Sequence, residues 1–322
     1  MFETTSTLFA ASSTLLSRTY LRYLSYRRLL CKTSRGAKCF RAVSSMPVVE
    51  QPRPLERVVT AREQQDGVGA RVRRSIGSAS LERLDPFLLL DHFRVKPPGG
   101  FPEHPHRGFQ TVTYMVRGKF RHRDNRGHEG VIAAGDMQWM TAGAGIVHSE
   151  MPATEEENEG LQIWINLATK NKLVPPNYQE KRATDIPLFV TADGNVRVKV
   201  LAGIHENMQS DVSTLTPTEM LDVTLAPHTS FQHPVPATWN ACMYVLDGLV
   251  HVGAEKISAG NLGVFQSNVG DGIRIESGDT TSRVLFLCGE PLHEPVAHYG
   301  PIVMNTREEI MQAISDYQAG KF

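Results

Sequence analysis

The sequence predicts an all-β protein made of two β-barrels of one kind with a short C-terminal α-helix, and three observations carry that expectation. Runs such as Gln110-Thr-Val-Thr-Tyr-Met-Val116 recur along the chain and stop at Gly, Pro, Asn or Asp, the residues of tight turns. The segment Tyr114-Met-Val-Arg-Gly118-Lys-Phe is echoed 130 residues on by Tyr244-Val-Leu-Asp-Gly248-Leu-Val, and Ala134-Gly135-Asp136 is echoed 125 residues on by Ala259-Gly260-Asn261. Helical periodicity is clear only near the end. There Thr306 and Glu309 have capping-box spacing, and Ile310, Ala313, Ile314 and Tyr317 share one face, which is expected to pack on a barrel.

In chain order, residues 1–46 read as a disordered leader. They hold eight Lys and Arg against one acid, Glu3, and are rich in Ser, Thr, Leu and Tyr, the composition of an organellar transit peptide. Arg dominates the basic residues, so a mitochondrion is expected ahead of a plastid. Translation starting at Met46 would instead leave the protein in the cytoplasm or nucleus. Residues 47–185 are expected to form the first barrel, 186–300 the second and 301–322 the helical tail.

The whole chain has 34 basic and 34 acidic residues; without the leader, 26 and 33 remain, a net charge of −7. An acidic body offers no footprint for nucleic acid or for an anionic membrane surface. No apolar run reaches the roughly 20 residues of a membrane-spanning helix. Cys242 and Cys288, the two cysteines of the body, lie in apolar strand-like runs and read as buried thiols in a reducing compartment.

The chemistry is carried by His104-Pro105-His106 and His148-Ser149-Glu150. Successive side chains of a strand point to opposite faces, so His104 and His106 share a face, as do His148 and Glu150. Two such strands side by side aim three imidazoles and one carboxylate at a common point. That donor set suits a divalent first-row metal: no thiolate is near, and one carboxylate is too few oxygens for calcium or magnesium. Four ligands on an octahedral ion leave two positions for substrate, water or dioxygen. Iron, manganese, cobalt, nickel, copper and zinc all remain open.

The second copy lacks these ligands. An offset of 130 carries His104 and His106 to Pro234 and Pro236, and an offset of 125 carries His148 and Glu150 to Ile273 and Ile275. A packed barrel without metal is expected, with His228 and His233 as stray histidines that have no carboxylate at matching spacing.

Longer blocks resemble the pirin family: Gly67-Val-Gly-Ala-Arg-Val-Arg-Arg-Ser-Ile-Gly77, Leu84-Asp-Pro-Phe-Leu-Leu-Leu90, Gly99-Gly-Phe-Pro-Glu-His-Pro-His-Arg-Gly-Phe109, Gly135-Asp-Met-Gln-Trp-Met-Thr-Ala-Gly143, Gly145-Ile-Val-His-Ser-Glu-Met-Pro152 and Gly300-Pro-Ile-Val-Met-Asn-Thr306. The resemblance runs from about residue 57 to residue 316. It implies a bicupin, two cupin-type barrels, with one divalent metal ion in the N-terminal barrel, usually Fe(II), on His104, His106, His148 and Glu150. It also implies one of two activities. The first is a quercetin 2,3-dioxygenase-like oxidoreductase that takes a small aromatic enol or flavonol and dioxygen. The second is an iron-dependent protein-binding module, a transcription co-regulator or signalling partner. A monomer is expected.

Gln110 shares the parity of His106 and is expected to face the pocket, where many cupins carry a ligand glutamate; it reads as an outer hydrogen-bonding group or a substrate contact. The loop from Phe120 to Glu129, with His122 and His128, is expected to be a solvated hairpin tip. Trp139 and Trp164 are expected in the core or the pocket wall.

Overall fold

Alternation decides the outer strands and continuous burial the inner ones. Lys119–Asp124 alternates between exposed and buried residues, with Phe120, His122 and Asp124 turned inward, whereas Phe87–Val95 and Phe109–Arg117 are buried along nearly their whole length. The first pattern belongs to a strand with one solvated face and the second to a strand covered on both.

The computed structural model describes residues 46–322. The leader expectation therefore falls, but for Met46, outside the described residues. The first strands are β1 (Leu55–Thr60), β2 (Glu63–Asp66), β3 (Ala70–Ile76), β4 (Phe87–Val95), β5 (Phe101–His106) and β6 (Phe109–Arg117). They are followed by β7 (Lys119–Asp124), β8 (Glu129–Ala133), β9 (Met137–Thr141), β10 (Ile146–Pro152), β11 (Asn158–Asn166) and β12 (Asn177–Lys181). Next come β13 (Leu188–Val190), β14 (Val196–Ala202), β15 (Ile204–His205), β16 (Met208–Gln209), β17 (Thr218–Leu225), β18 (Ser230–Pro234) and β19 (Asn240–Asp247). The chain ends with β20 (Leu249–Val252), β21 (Glu255–Ser258), β22 (Asn261–Phe265), β23 (Gly272–Ser277), β24 (Ser282–Gly289), β25 (Ala297–Tyr299), β26 (Ile302–Met304) and α1 (Arg307–Gln318).

The strands form two compact units. In the N-terminal unit a seven-stranded sheet of order β12-β9-β6-β11-β4-β3-β2 accompanies a four-stranded sheet, β5-β10-β7-β8. In the C-terminal unit the sheets run β1-β22-β19-β24-β17-β14-β13 and β18-β23-β20-β21. The orders correspond strand for strand, so the sequence echo is a duplication of topology. Each unit is a pair of sheets, and among the described residues their ladders stay separate, without closing into one continuous barrel. The echoed glycines occupy matching turns: Gly118 and Gly248 both have φ 77°, and Gly135 and Gly260 have φ 85° and 83°, a region that costs a side chain strain.

The units are composite. The C-terminal unit comprises residues 46–58, 187–212 and 218–288, and the N-terminal unit 59–186, 213–217 and 289–322. This differs from linear blocks at 47–185, 186–300 and 301–322, because β1 takes in the C-terminal unit the edge position that β12 takes in the N-terminal one. The tail likewise belongs to the N-terminal unit, where Ile302, Met304, Ile310, Ala313 and Phe322 cluster with Val147 of β10. Tyr317, expected on the buried face, is 41% exposed.

In the N-terminal unit Phe93 and Met115 of one sheet pack with Phe120 and Ile132 of the other, Phe93 stacking on Phe120 at 5.0 Å. Burying each such side chain contributes roughly 1.5–3 kcal/mol. The C-terminal core contains Val198, Leu221, Met243, Phe286, Ile273 and Ile275. Cys242 and Cys288 are buried thiols, as expected, and Cys288 Sγ donates to Glu219 Oε2 at 3.8 Å.

Candidate metal centre

The site begins with a bend. After His106 the chain turns through Arg107 and Gly108 into β6. Gly108 has φ 86°, and a Cβ there would run into the Val303 carbonyl. Lys172, buried, grips the bend: its Nζ donates to the carbonyls of Gly108 (2.9 Å) and Val303 (3.1 Å) and to Asn166 Oδ1 (2.8 Å). Burial lowers its pKa to about 8. Arg107 donates to the Ala144 carbonyl (2.6 Å) and to Asp316 of α1 (2.8 Å), with its guanidinium 4.2 Å from the centre of the Phe322 ring.

β5 and β10 pair antiparallel, with His148 opposite His104 and Ile146 opposite His106. Nε2 of His104 is 2.9 Å from Nε2 of His106 and 3.1 Å from Nε2 of His148. The Nδ1–H of His104 donates to the Pro102 carbonyl at 2.7 Å, which leaves the Nε2 lone pair facing its neighbours. His106 and His148 are 1% exposed, and Nδ1 of His148 has no hydrogen-bond partner. Burial, reinforced by the neighbouring imidazole of His104, holds both well below the usual histidine pKa. Neutral imidazoles with converging ring nitrogens fit a divalent first-row cation and would be poorly placed without one.

Glu150 keeps the parity of His148, both being buried, but its carboxylate is held by other partners. The ladder shifts register between His148 and Glu150, so Glu150 opposes Phe101. Its Oε1 accepts from the Thr113 hydroxyl (2.7 Å) and its Oε2 from Gln162 Nε2 (3.0 Å). Among the described residues around this point, the ligand atoms within 4.8 Å of one another are those of His104, His106 and His148. Glu150 nonetheless lines the same cavity.

That cavity, about 910 Å³, is bounded by His104, His106, Glu150 and Gln162, by the apolar side chains of Leu88, Leu89, Phe93, Phe101 and Trp164, and by His298 at the tail. Its size is that of a small-molecule site. Trp164 is thus pocket wall, its ring centre 5.3 Å from that of His106, while Trp139 is buried core. Phe109 packs on both His106 and Trp164.

Three sequence expectations are corrected. Gln110 is fully buried and donates to Thr141 Oγ1 at 2.8 Å, and it does not line the cavity. Parity does not carry from β5 into β6 through the Gly108 bend, so Thr113, and not Gln110, reaches Glu150. His122 is only 2% exposed, because it occupies a buried phase of β7 and not a hairpin tip. His233 is buried and meets a carboxylate, Glu219 of β17, at 2.9 Å, while His205 Nδ1 lies 3.1 Å from its other ring nitrogen. His228 stays exposed, as a stray histidine would.

Register also revises the repeat. Ile273 opposes His233 as His148 opposes His104, so the counterparts of His104-Pro105-His106 are His233-Pro234-Val235, an offset of 129. Pro234 and Pro236 are each one residue off. The C-terminal copy keeps one imidazole, with Val235, Ile273 and Ile275 at the other three ligand positions. Thr113, Gln162 and Pro102 escaped sequence reasoning. The one signal for them was Gln162-x-Trp164, two residues of equal parity in β11.

Residues 69–165 match the family model described as Pirin, and residues 220–322 the model described as Pirin C-terminal cupin domain. The chain belongs to the pirin family. It is 48% identical over 281 residues to a pirin-like protein of Solanum lycopersicum, covering 87% of this chain and 96% of that one. It is 47% identical over 269 residues to pirin of Homo sapiens, covering 82% and 91%. Among solved structures, the crystal structure of a quercetin 2,3-dioxygenase from Acinetobacter baumannii superimposes with a TM-score of 0.78 at 31% identity, over 84% of this pirin and 98% of that chain. The pirin fold is two cupin domains, all-β but for the short C-terminal helix.

Proposed function

We propose that this pirin is a non-haem Fe(II)-dependent dioxygenase of quercetin-like flavonols. The observation that carries the reading is the three-histidine cluster, of which His104 and His106 line a cavity with an apolar wall of Leu88, Leu89, Phe93, Phe101 and Trp164, in a chain similar to a quercetin 2,3-dioxygenase. His104, His106 and His148 would hold the ion, and Glu150 is the proposed fourth ligand, its carboxylate oriented by Thr113 and Gln162. Bound Fe(II) would supply Lewis-acid and redox chemistry toward an enol and dioxygen. Leu88, Phe93, Phe101 and Trp164 would cover the aromatic rings and exclude water from the reacting face. Gln110, turned to Thr141, has no part in substrate contact.

The test is to load the purified chain with Fe(II) anaerobically, admit oxygen and follow its uptake with a panel of flavonols. Uptake that depends on quercetin and disappears in His104→Ala protein is expected. No uptake above a free-iron background, together with metal-dependent capture of a protein partner, would move the function to the non-catalytic binding module. The first 46 residues are proposed to direct import into an organelle; their fusion to a fluorescent protein should localise to mitochondria, and a diffuse or nuclear signal would refute this.

A further inference from the structure

The hairpin β7–β8 and the edge strand β12 bring a second set of nitrogen and oxygen donors together, on different residues from the first. Nε2 of His122 lies 2.7 Å, and Nε2 of His128 3.2 Å, from the same oxygen of Glu180. The three ligand atoms are within 4.8 Å of one another. His122 is buried, whereas the side chain of His128 is 39% and that of Glu180 26% exposed, so the group opens to solvent on one side.

His122 explains what the group is built for. Neither of its ring nitrogens makes a well-directed hydrogen bond, although Nε2 lies 2.7 Å from the Glu180 carboxylate, whereas His128 Nε2 is hydrogen-bonded to the same oxygen at 3.2 Å. Its ring axis therefore misses the Glu180 oxygen. Donors at this separation whose axes miss each other are arranged as neighbouring ligands, aimed at a third point. With metal–ligand distances near 2.0–2.1 Å, neighbouring ligand atoms fall roughly 3 Å apart. The surroundings fix that aim: Tyr178 stacks on the His128 ring at 4.2 Å, and Gln138 donates to the shared Glu180 oxygen at 3.0 Å. The space beside His122 exists because residue 130 is glycine, since a Cβ there would sit 2.5 Å from Nε2.

We propose that His122, His128 and Glu180 form a second divalent-cation site, of the two-imidazole, one-carboxylate class that takes Zn²⁺, its remaining positions filled by water. Such an ion ties the β7–β8 hairpin, which carries both histidines, to β12 of the seven-stranded sheet. It uses different residues from the histidine cluster at the cavity, although His122 faces Glu150 across the β7–β10 ladder.

Zn²⁺ titration of the metal-free full chain, with bound ions counted after dialysis, tests this. The parent should take two ions per chain and His104→Ala/His148→Ala protein one. His128→Gln and Glu180→Gln, each in the parent, should weaken one ion at least tenfold and spare the other. Zn²⁺ should also raise the unfolding temperature of His104→Ala/His148→Ala protein, and adding His128→Gln should abolish that rise. A parent that binds a single ion, or two ions that neither His128→Gln nor Glu180→Gln weakens, overturns the proposal. Because His128 is at the surface and both of these variants keep the cavity histidines, this outcome does not depend on the double variant folding.

Discussion

At His104, Nδ1 is engaged by the Pro102 carbonyl, and this fixes which nitrogen is offered to a cation. Burial keeps His106 and His148 neutral, so that each has a ring lone pair to offer. His104→Ala or His148→Ala should therefore lower Fe(II) or Co²⁺ affinity at least tenfold in a metal titration, with little change in folding, because no other ring replaces the lost donor. Thr113→Val leaves Glu150 with Gln162 alone and should weaken the ion by about tenfold, a typical loss for an orienting partner, read in the same titration. If Thr113→Val binds metal like the parent, Glu150 is not a ligand. The histidines were legible because parity within one strand is a local rule. Gln110 was misplaced because that rule stops at Gly108, and Glu150's engagement with Thr113 and Gln162 was invisible because those residues come from two other strands.

Among the elements, the bend between β5 and β6 and helix α1 decide how firmly the ligand strand is held. Gly108→Ala puts a methyl group against the Val303 carbonyl at a left-handed φ and should cost roughly 2 kcal/mol or more, seen as a lowered unfolding midpoint. Lys172→Met removes three hydrogen bonds and leaves buried carbonyls without a donor, so a loss of about 2–3 kcal/mol is expected from the same measurement. The capping box of α1 was readable from Thr306 and Glu309, and the structure forms both of its hydrogen bonds. The Arg107–Asp316 pair, 209 residues apart in the chain, carries no local pattern, so the helix could be found in the sequence but not its purpose.

For the whole molecule, stability at low pH should follow Glu159. Hydrogen bonds from His92 and Arg94 hold its carboxyl down to about 2, against a usual value of 4.5. A carboxylate with a depressed folded pKa stabilises fully above the unfolded value and loses that contribution as pH falls from about 4.5 toward 2. Chemical denaturation across that window should show the loss, and Glu159→Gln should reduce it without abolishing it, because the carboxyls of Glu180 and Asp316 are also held down. The duplication was legible from two glycine-centred echoes. Its register was not, because one residue of offset is decided by strand pairing, and the composite units were not, because β1 has no repeat partner at the corresponding place in the first copy.

The composite units bear on how the chain is made. β1 leaves the ribosome among the first strands yet adds beside β22, some 200 residues later in the chain. Arg107 likewise waits for Asp316, 209 residues later in the chain. At 5–20 residues per second, that interval is on the order of ten seconds or more. A nascent chain can thus bring its histidine strands together well before the clamp that steadies them exists. A chain released before Asp316 is made would carry its candidate ligand histidines without the brace that steadies them.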